Sequence, residues 1–439
     1  MVPRVNGTPV PSRAGRSRAR LRRTVRIAIL THYWAPEVGA PQTRLRETAL
    51  ELMRLGDEVR VITNHPHYPD GVVWPTYNAL TIRRETMDGI RVLRLPVLAR
   101  PNTRFLNRIV DQASFAIAAA AAVREVRWAD VLLVESPPLF LGLTARWLSA
   151  VARRPYVFHV ADPWPDYPIE VGALRGSVPI RMARWLERRA YAGASGITTP
   201  TEGCARIIAA QVGSPGKVRV VPNGVDLRRF DPSHDTQRAR AALGWPSDPF
   251  TFVYTGTVGL AQGLGTLLDA AERLSQTDGL PPYSIRIIGD GAERKGLEGS
   301  AARRGLTAIS FERPRPASEV PLVLAAADAV LVLLRRGRLA EVALPTKLVE
   351  ALGAGRPVVV SSDGEANRLV AEGQVGFAAP SEDPAALSET MAMMLTRPHD
   401  VAARSGRART LAEGRFDRAA TVAQLRQSLI AGVPESRSA

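Results

Sequence analysis

From Val25 onward the chain alternates short β-branched runs with amphipathic stretches, and it does so in two series separated at Pro222-Asn-Gly-Val-Asp226. Such alternation is the pattern of strand–helix–strand units, in which strands pair in parallel and helices cover both sheet faces. Arg26-Ile-Ala-Ile-Leu30 reads as the first strand; Leu45, Ala49, Leu52 and Leu55 then mark one helical face that ends at Gly56, before a strand at 58–63. Further strands are expected at 91–95, 130–134, 155–160, 196–199 and 218–221, with helices at 105–124, 139–152, 178–192 and 201–211. The second series predicts strands at 250–255, 283–288, 308–311, 328–334 and 357–361, with helices at 264–275, 292–304, 317–326 and 345–354. Helices at 383–396, 398–413 and 417–431 follow. The fold class is therefore α/β, with two Rossmann-like doubly wound domains facing across a cleft. The first is placed at 26–225, joined by a returning helix at about 417–431; the second is placed at 226–416, and 432–439 form a tail.

A chain of 439 residues is too long for one compact core, so two domains agree with its length. Its single cysteine, Cys204, excludes an intramolecular disulfide and a thiolate-cluster metal site, and it reads as a small buried hydrophobe. Half of the net charge of +16 comes from eight arginines in the first 26 residues, a stretch without acids. With Pro, Ser and Gly between the arginines, an arm over 1–25 cannot bury an apolar face and is expected to be disordered. It is not read as a secretory signal, because the apolar run Ile27 to Leu30 is broken at Thr31. The apolar run Phe115 to Val123 is less than half of the roughly 20 residues that a spanning helix needs.

The basic excess fits an anionic membrane surface better than nucleic acid, since the arm lacks interleaved aromatics. In Arg100-Pro-Asn-Thr-Arg-Phe-Leu-Asn-Arg-Ile-Val110, residues Phe105, Leu106 and Ile109 share one helical side flanked by arginines. That stretch reads either as a bilayer-surface helix or as an ordinary helix with its apolar stripe packed inward. Localisation is expected in the cytoplasm, peripheral on the inner face of the cell membrane.

The segment Leu344-Pro-Thr-Lys-Leu-Val-Glu350 opens a helix between two strands and reads as an anion site. Pro345 suits the first helical position, with Thr346 beside it. Lys347 then falls in the first turn, where its charge adds to the positive end of the macrodipole, disfavoured by roughly 0.3 to 1 kcal/mol without an anion. Glu350, on the same face, could accept hydrogen bonds from a sugar diol; spacing alone also fits a surface i,i+3 ion pair. Gly256-Thr257-Val-Gly259 and Gly289-Asp-Gly291 follow strands of the same sheet, so these turns and Lys347 converge on a nucleotide-diphosphate site. No GxxxxGK[ST] sequence is present.

In the first domain Val38-Gly39-Ala-Pro41 holds the matching position, and Arg44 lies one turn into the next helix. His159-Val-Ala-Asp162-Pro-Trp164-Pro165 ends a strand, placing an imidazole, a carboxylate and an indole at a sheet edge. Asp162 could hold a hydroxyl or act as a base, or form an Asx turn; His159 could bind substrate or be structural. His65 and His67 flank Pro66, but no carboxylate or cysteine accompanies them at ligand spacing, so no structural metal is expected.

These motifs resemble the retaining family-4 glycosyltransferases of the GT-B fold, from about residue 26 to 431. His32-Tyr-Trp-Ala-Pro-Glu-Val-Gly-Ala-Pro41, Asn64-His-Pro-His-Tyr-Pro-Asp-Gly71, Asp162-Pro-Trp-Pro165, Pro222-Asn-Gly-Val-Asp226, Tyr254 to Gly263 and Leu344-Pro-Thr-Lys347 look like the bacterial polysaccharide and O-antigen branch, which includes transferases of N-acetylated amino-fucose sugars. The resemblance implies a nucleotide sugar, UDP-linked, bound mainly by the C-terminal domain. It implies a glycan or polyprenyl-linked acceptor bound mainly by the N-terminal one, with Arg44 and Trp164 on the acceptor side. Gly39 would approach the donor phosphate, Glu350 would bind ribose hydroxyls, Lys347 would neutralise the diphosphate, and Phe311 to Pro314, with Arg313, would border the base. Asp162 and His159 would orient acceptor and donor sugar, with no cofactor required. Retention would follow front-face departure, the leaving diphosphate helping to deprotonate the acceptor.

Two positions depart from the family pattern. Counting eight back from Glu350 reaches Val342, not a glutamate, with Glu341 one residue out of register; Gln262 stands where a lysine is usual. Either Lys347 and backbone N–H groups take over that charge or this copy is impaired, and the intact neighbouring motifs favour the first. The other readings are a nucleotide-sugar 2-epimerase of the same architecture and a non-catalytic basic binding protein.

Overall fold

The apolar runs pair into two largely parallel sheets because the central strands are buried on both faces and must satisfy their backbones from their neighbours. The computed structural model describes residues 24–433 except 69, 102–104, 171, 173 and 232–234, so nearly all of the basic arm and most of the tail lie outside the described residues. The first sheet comprises β1 (Arg26–Leu30), β2 (Glu58–Asn64), β3 (Arg83–Met87), β4 (Ile90–Leu95), β5 (Val131–Ser136), β6 (Tyr156–Val160), β7 (Gly196–Thr199) and β8 (Val218–Val220), in the order β3-β4-β2-β1-β5-β6-β7-β8. The second comprises β9 (Phe250–Thr255), β10 (Tyr283–Ile288), β11 (Ile309–Glu312), β12 (Ala329–Leu333), β13 (Val358–Ser361) and β14 (Gly376–Ala379), in the order β11-β10-β9-β12-β13-β14. Every pairing is parallel except β3 with β4. The order reverses beside β1 in one sheet and beside β9 in the other, which puts a crevice at both switch points.

The elements depart from expectation at several places, including unexpected helices at Asp166–Glu170, Thr236–Leu243, Arg338–Val342 and Glu365–Gly373. The helix expected at 105–124 is two, Phe105–Ala119 and Val123–Trp128, because the alanines at 120–122 tighten into i→i−3 hydrogen bonds. β3 was not expected, since Arg83-Arg-Glu-Thr-Met87 is a charged edge strand. Its turn residues, Asp88 at φ 53° and Gly89 at φ 79°, form the two-residue Asp-Gly hairpin that joins it to β4. β14 was also missed; Gly376 passes so close to β13 that a Cβ there would sit 2.1 Å from the Val358 carbonyl oxygen. Pro345 is the residue before the helix Thr346–Gly353, not its first residue, and its ψ of 140° is extended.

The C-terminal helix Arg418–Ala431 lies on the first domain, where Val422, Leu425 and Leu429 pack with Leu45, Ala49 and Leu52. Arg426 donates two hydrogen bonds, of 2.7 and 2.8 Å, to the buried Asp57 carboxylate. The two domain crossings run side by side: Val225 N–H donates to Phe416 O at 2.8 Å and Arg418 N–H to Val225 O at 2.9 Å. Among the described residues no helix is long and apolar enough to cross a membrane.

Candidate active site

The carboxyl ends of the two sheets face each other across a cleft. Its central part is a cavity of about 370 Å³ with Tyr33, Arg44 and Asp162 on one wall and Val342, Pro345 and Thr346 on the other. A second cavity, of about 1020 Å³, lies on the other side of the helix Ala40–Arg54 and is bounded by Glu47, Arg229 and Arg418.

On the C-terminal domain, the helix Thr346–Gly353 starts at the cleft with no side-chain cap, so its first N–H groups are left for an incoming acceptor. The Lys347 ammonium is shielded from solvent, has no hydrogen-bond partner, and lies 3.7 Å from the centroid of the Tyr254 ring. Tyr254 is held from its other end, its hydroxyl donating to Thr257 O at 2.5 Å. Burial pushes Lys347 down to about 7, although Glu350 opposes the change. Gly256 stands beside it at φ 119°, a conformation that favours glycine, and a Cβ there would come 3.4 Å from Lys347 Nζ. Gly256 and Thr257 are exposed, and Gly259 precedes the short turn Leu260–Gln262.

Gly289 and Gly291 serve the neighbouring turn. A Cβ at Gly289 would lie 1.8 Å from Gly256 O, and one at Gly291 would lie 2.2 Å from Val258 O. Gly256 N–H donates to Ile288 O at 3.0 Å, and Val258 N–H donates to Asp290 O at 2.9 Å. The two glycine turns therefore interlock, as their shared sheet edge implied. Arg313, just past β11, is exposed.

Glu350 faces the domain junction. Burial first, then the Glu47 carboxylate, pushes it up to about 7, with Arg418, Arg229 and Lys347 opposing. Glu47 accepts from Arg418 at 2.8 Å and from Arg229, so an N-terminal-domain acid is held by two arginines outside its own domain segment. Sequence reasoning missed Glu47, Arg229 and Arg418 because they are far apart along the chain. Tyr254 was missed as a site residue because a tyrosine ending an apolar strand looks like core.

On the facing wall, Gly39 precedes the helix Ala40–Arg54 in extended backbone, and a Cβ there would lie 2.4 Å from Gln42 Oε1. Arg44 lines the cleft but is paired with the buried Glu135, whose Oε2 has no hydrogen-bond partner. Burial pushes Glu135 up to about 7 against the pull of Arg44. A lone carboxylate ending the apolar strand β5 was the available signal for this group. Asp162 opens into the cleft, and the protein around it raises its carboxyl above the usual range while Arg44 opposes. His159 sits behind it on β6, 5% exposed, with Nδ1 2.9 Å from Thr198 Oγ1 and Nε2 without a partner. Burial holds His159 well below the ordinary range, so its ring is neutral at pH 7. Trp164 turns toward the first-domain core, its ring 6.5 Å from that of Phe140.

The two walls touch at one rim. Thr201 Oγ1 donates to Val342 O at 2.7 Å, and Gly203 N–H donates to Glu365. Cys204 is buried there, its thiol pushed up to about 11 by burial. Val342, where a glutamate is usual, is packed at this contact, a Cβ on Gly203 meeting its Cγ1 at 2.4 Å; Glu341 is exposed.

Residues 39–224 match the family described as glycosyl transferase 4-like domain, and residues 235–410 match glycosyl transferases group 1. The chain is 32% identical over 292 residues to a D-inositol 3-phosphate glycosyltransferase of Frankia alni, covering 62% of this chain and 70% of that one. It is 26% identical over 346 residues to WcaI of Escherichia coli K12, a protein assigned to colanic acid biosynthesis as a glycosyl transferase, covering 77% of this chain and 84% of that one. Anabaena Alr3699/HepE, solved with UDP and glucose, superimposes with a TM-score of 0.69 at 20% identity, over 92% of this chain and 99% of that one. WaaG, a glycosyltransferase involved in lipopolysaccharide biosynthesis, superimposes with a TM-score of 0.66 at 17% identity, over 91% and 99%. These likenesses place the two-domain architecture in the GT-B fold.

Proposed function

Because the chain belongs to the glycosyltransferases built from a 4-like domain and a group 1 domain, we propose that it moves a sugar from a UDP-sugar to a glycan or lipid-linked acceptor with retention of configuration. The observation that carries the donor half is the shielded Lys347 ammonium without a partner, beside an uncapped helix start and the Gly256 turn. A diphosphate would supply the missing acceptors and restore the charge that burial disfavours. A further negative charge develops on its outer phosphate as the sugar–oxygen bond breaks, so donors fixed at that place stabilise the transition state more than the ground state. No dedicated metal at the diphosphate is required in this reading, since Lys347 and the helix N–H groups take the charge.

Glu350 binds the ribose hydroxyls, Arg313 borders the base, and Gly39 approaches the phosphate. Asp162, open to the cleft, takes a hydroxyl of the donor sugar or acceptor. His159 steadies that wall and Arg44 belongs to the acceptor side, whereas Trp164, expected there from the sequence, packs on Phe140 and supports the wall from the core. An N-acetylated amino sugar as the donated group and a cell-surface polysaccharide as the product agree with the resemblance of the motifs. Leu106, Val110 and Ile117 are 74, 43 and 77% exposed on the helix Phe105–Ala119, a row that would lie on an anionic membrane beside its acceptor.

Melting-temperature shifts with UDP, GDP, dTDP and ADP, then hydrolysis of the matching nucleotide sugars, test the donor. A shift with no nucleotide, or unchanged transfer in both Lys347→Ala and Glu350→Ala, overturns the reading. A nucleotide-sugar 2-epimerase would instead form a new epimer with no acceptor present. Flotation of the full chain with anionic liposomes tests the membrane part, which fails if all protein stays with the soluble fraction.

A further inference from the structure

Away from the cleft centre, three buried side chains from separate segments meet in the first domain. His32 follows β1, His67 lies in the loop after β2, and Asp111 sits on the helix Phe105–Ala119; they are 5, 4 and 6% exposed. His32 Nε2 is 3.0 Å from Asp111 Oδ2 and His67 Nε2 is 2.9 Å from Asp111 Oδ1, and the ligand atoms of all three lie within 4.8 Å of one another. The sequence around His65 and His67 offers no carboxylate; the fold brings one from Asp111.

The hydrogen bonding of this group is incomplete. His67 Nδ1 donates to His65 O at 2.7 Å, so in the neutral ring Nε2 carries the lone pair. That lone pair faces Asp111 Oδ1, a shielded carboxylate oxygen with no hydrogen-bond partner. In the metal-free protein a proton on His67 Nε2 would bridge this 2.9 Å contact, and a metal ion bound by both groups would take the place of that proton. The carbonyl of His65 already supplies the outer hydrogen bond that fixes a metal-binding imidazole in this tautomer. Asn64 Nδ2 donates to His32 Nδ1 at 2.9 Å, so in the metal-free protein Nε2 carries the proton that faces Asp111 Oδ2, and a metal ion bound at Nε2 would take the place of that proton. The group borders a cavity of about 30 Å³, shared with Tyr33, Tyr68, Arg108 and Gln112, which has room for one small ligand.

We propose that His32, His67 and Asp111 bind one divalent transition-metal ion, with an open fourth position facing this cavity. Two imidazoles and one carboxylate are the donors that suit Zn²⁺. Arg108 on the cavity wall favours an anionic oxygen in the open position, and Tyr33 borders both this cavity and the central cleft. The site therefore lies on the acceptor-facing domain, separate from the Lys347 region.

The test uses the full chain, stripped with a chelator and titrated with Co²⁺. One equivalent is expected to bind with the visible absorption of a four-coordinate N/O site and to be displaced by Zn²⁺. Asp111→Asn and His67→Gln are each expected to weaken binding by roughly 100-fold or more. No Co²⁺ uptake by the wild type, or unchanged affinity in both variants, overturns the site. Should the variants fail to fold, wild-type NMR decides: paramagnetic shifts at the His32 and His67 rings support the site, and shifts confined to other histidines overturn it. Neither readout depends on sugar transfer, so failure here is distinct from failure of the donor assignment.

Discussion

Lys347 Nζ lies 3.7 Å from the centre of the Tyr254 ring, with the ring as its polar neighbour in place of any hydrogen-bond acceptor. A cation–π contact of this kind is worth about 0.5 to 2 kcal/mol, less than the cost of desolvating an ammonium with no anion. Burial in the ligand-free protein thus disfavours the charged form of Lys347 at the place where the diphosphate is expected.

Replacing that charge should separate stability from activity. Lys347→Met is expected to raise the stability of the ligand-free protein by about 1 kcal/mol, because an apolar chain of similar length suits the Tyr254 face. The same change should lower kcat/KM for transfer by roughly 100-fold or more through loss of a transition-state charge partner. Thermal melts without nucleotide and steady-state kinetics check both. A variant that is less stable yet fully active would contradict the assignment.

The lowered Lys347 value, about 7 against an ordinary 10.5, makes nucleotide binding proton-linked. Above pH 7 the free protein carries neutral Lys347, and an incoming diphosphate draws a proton onto it. UDP affinity should therefore fall as pH rises from 7 to 9, with net proton uptake on binding. Calorimetry in buffers of different ionisation enthalpy measures that uptake. In Lys347→Met the uptake should disappear.

The Arg44–Glu135 pair predicts a strong asymmetry between single and double substitution. Arg44→Met leaves the buried Glu135 carboxyl without its partner and should cost about 3 to 5 kcal/mol, whereas Arg44→Met with Glu135→Leu should restore most of that loss. Glu135 has a raised value of about 7 in the folded protein against 4.5 unfolded. The folded state binds more protons across that window, so this group's stabilising contribution is present below pH 4.5 and is lost as pH rises through 7. Denaturant melts at pH 5 and 7.5 should show Glu135→Gln flattening this part of the profile.

Gly256→Ala should destabilise the second domain by about 1 to 3 kcal/mol, since φ of 119° is costly for any L side chain. The added methyl also meets the Lys347 ammonium at 3.4 Å, so UDP should bind more weakly even where the variant is folded. Gly265→Ala is the control, because a Cβ there meets nothing within 4 Å. Equal melting temperatures and equal UDP affinities in the two variants would remove the special role of Gly256.

The amino-acid sequence by itself determined the α/β class, the doubled strand–helix series and the place of Lys347 in the first turn of a helix between two strands. Apolar periodicity, glycine turns and helix dipoles are local and act within a few residues of one another. The charged edge strand at Arg83–Met87 and the alanine break between Ala119 and Val123 carried weaker local signals, and the first was written only in its Asp88-Gly89 turn. Tertiary structure alone decided that Glu350 faces Glu47, Arg229 and Arg418, that Arg44 is committed to Glu135, and that Asp111 joins His32 and His67. Those groups are brought together by the closing of two sheets and the return of the last helix. Once together they share a low-dielectric interior, where their charges set one another's protonation.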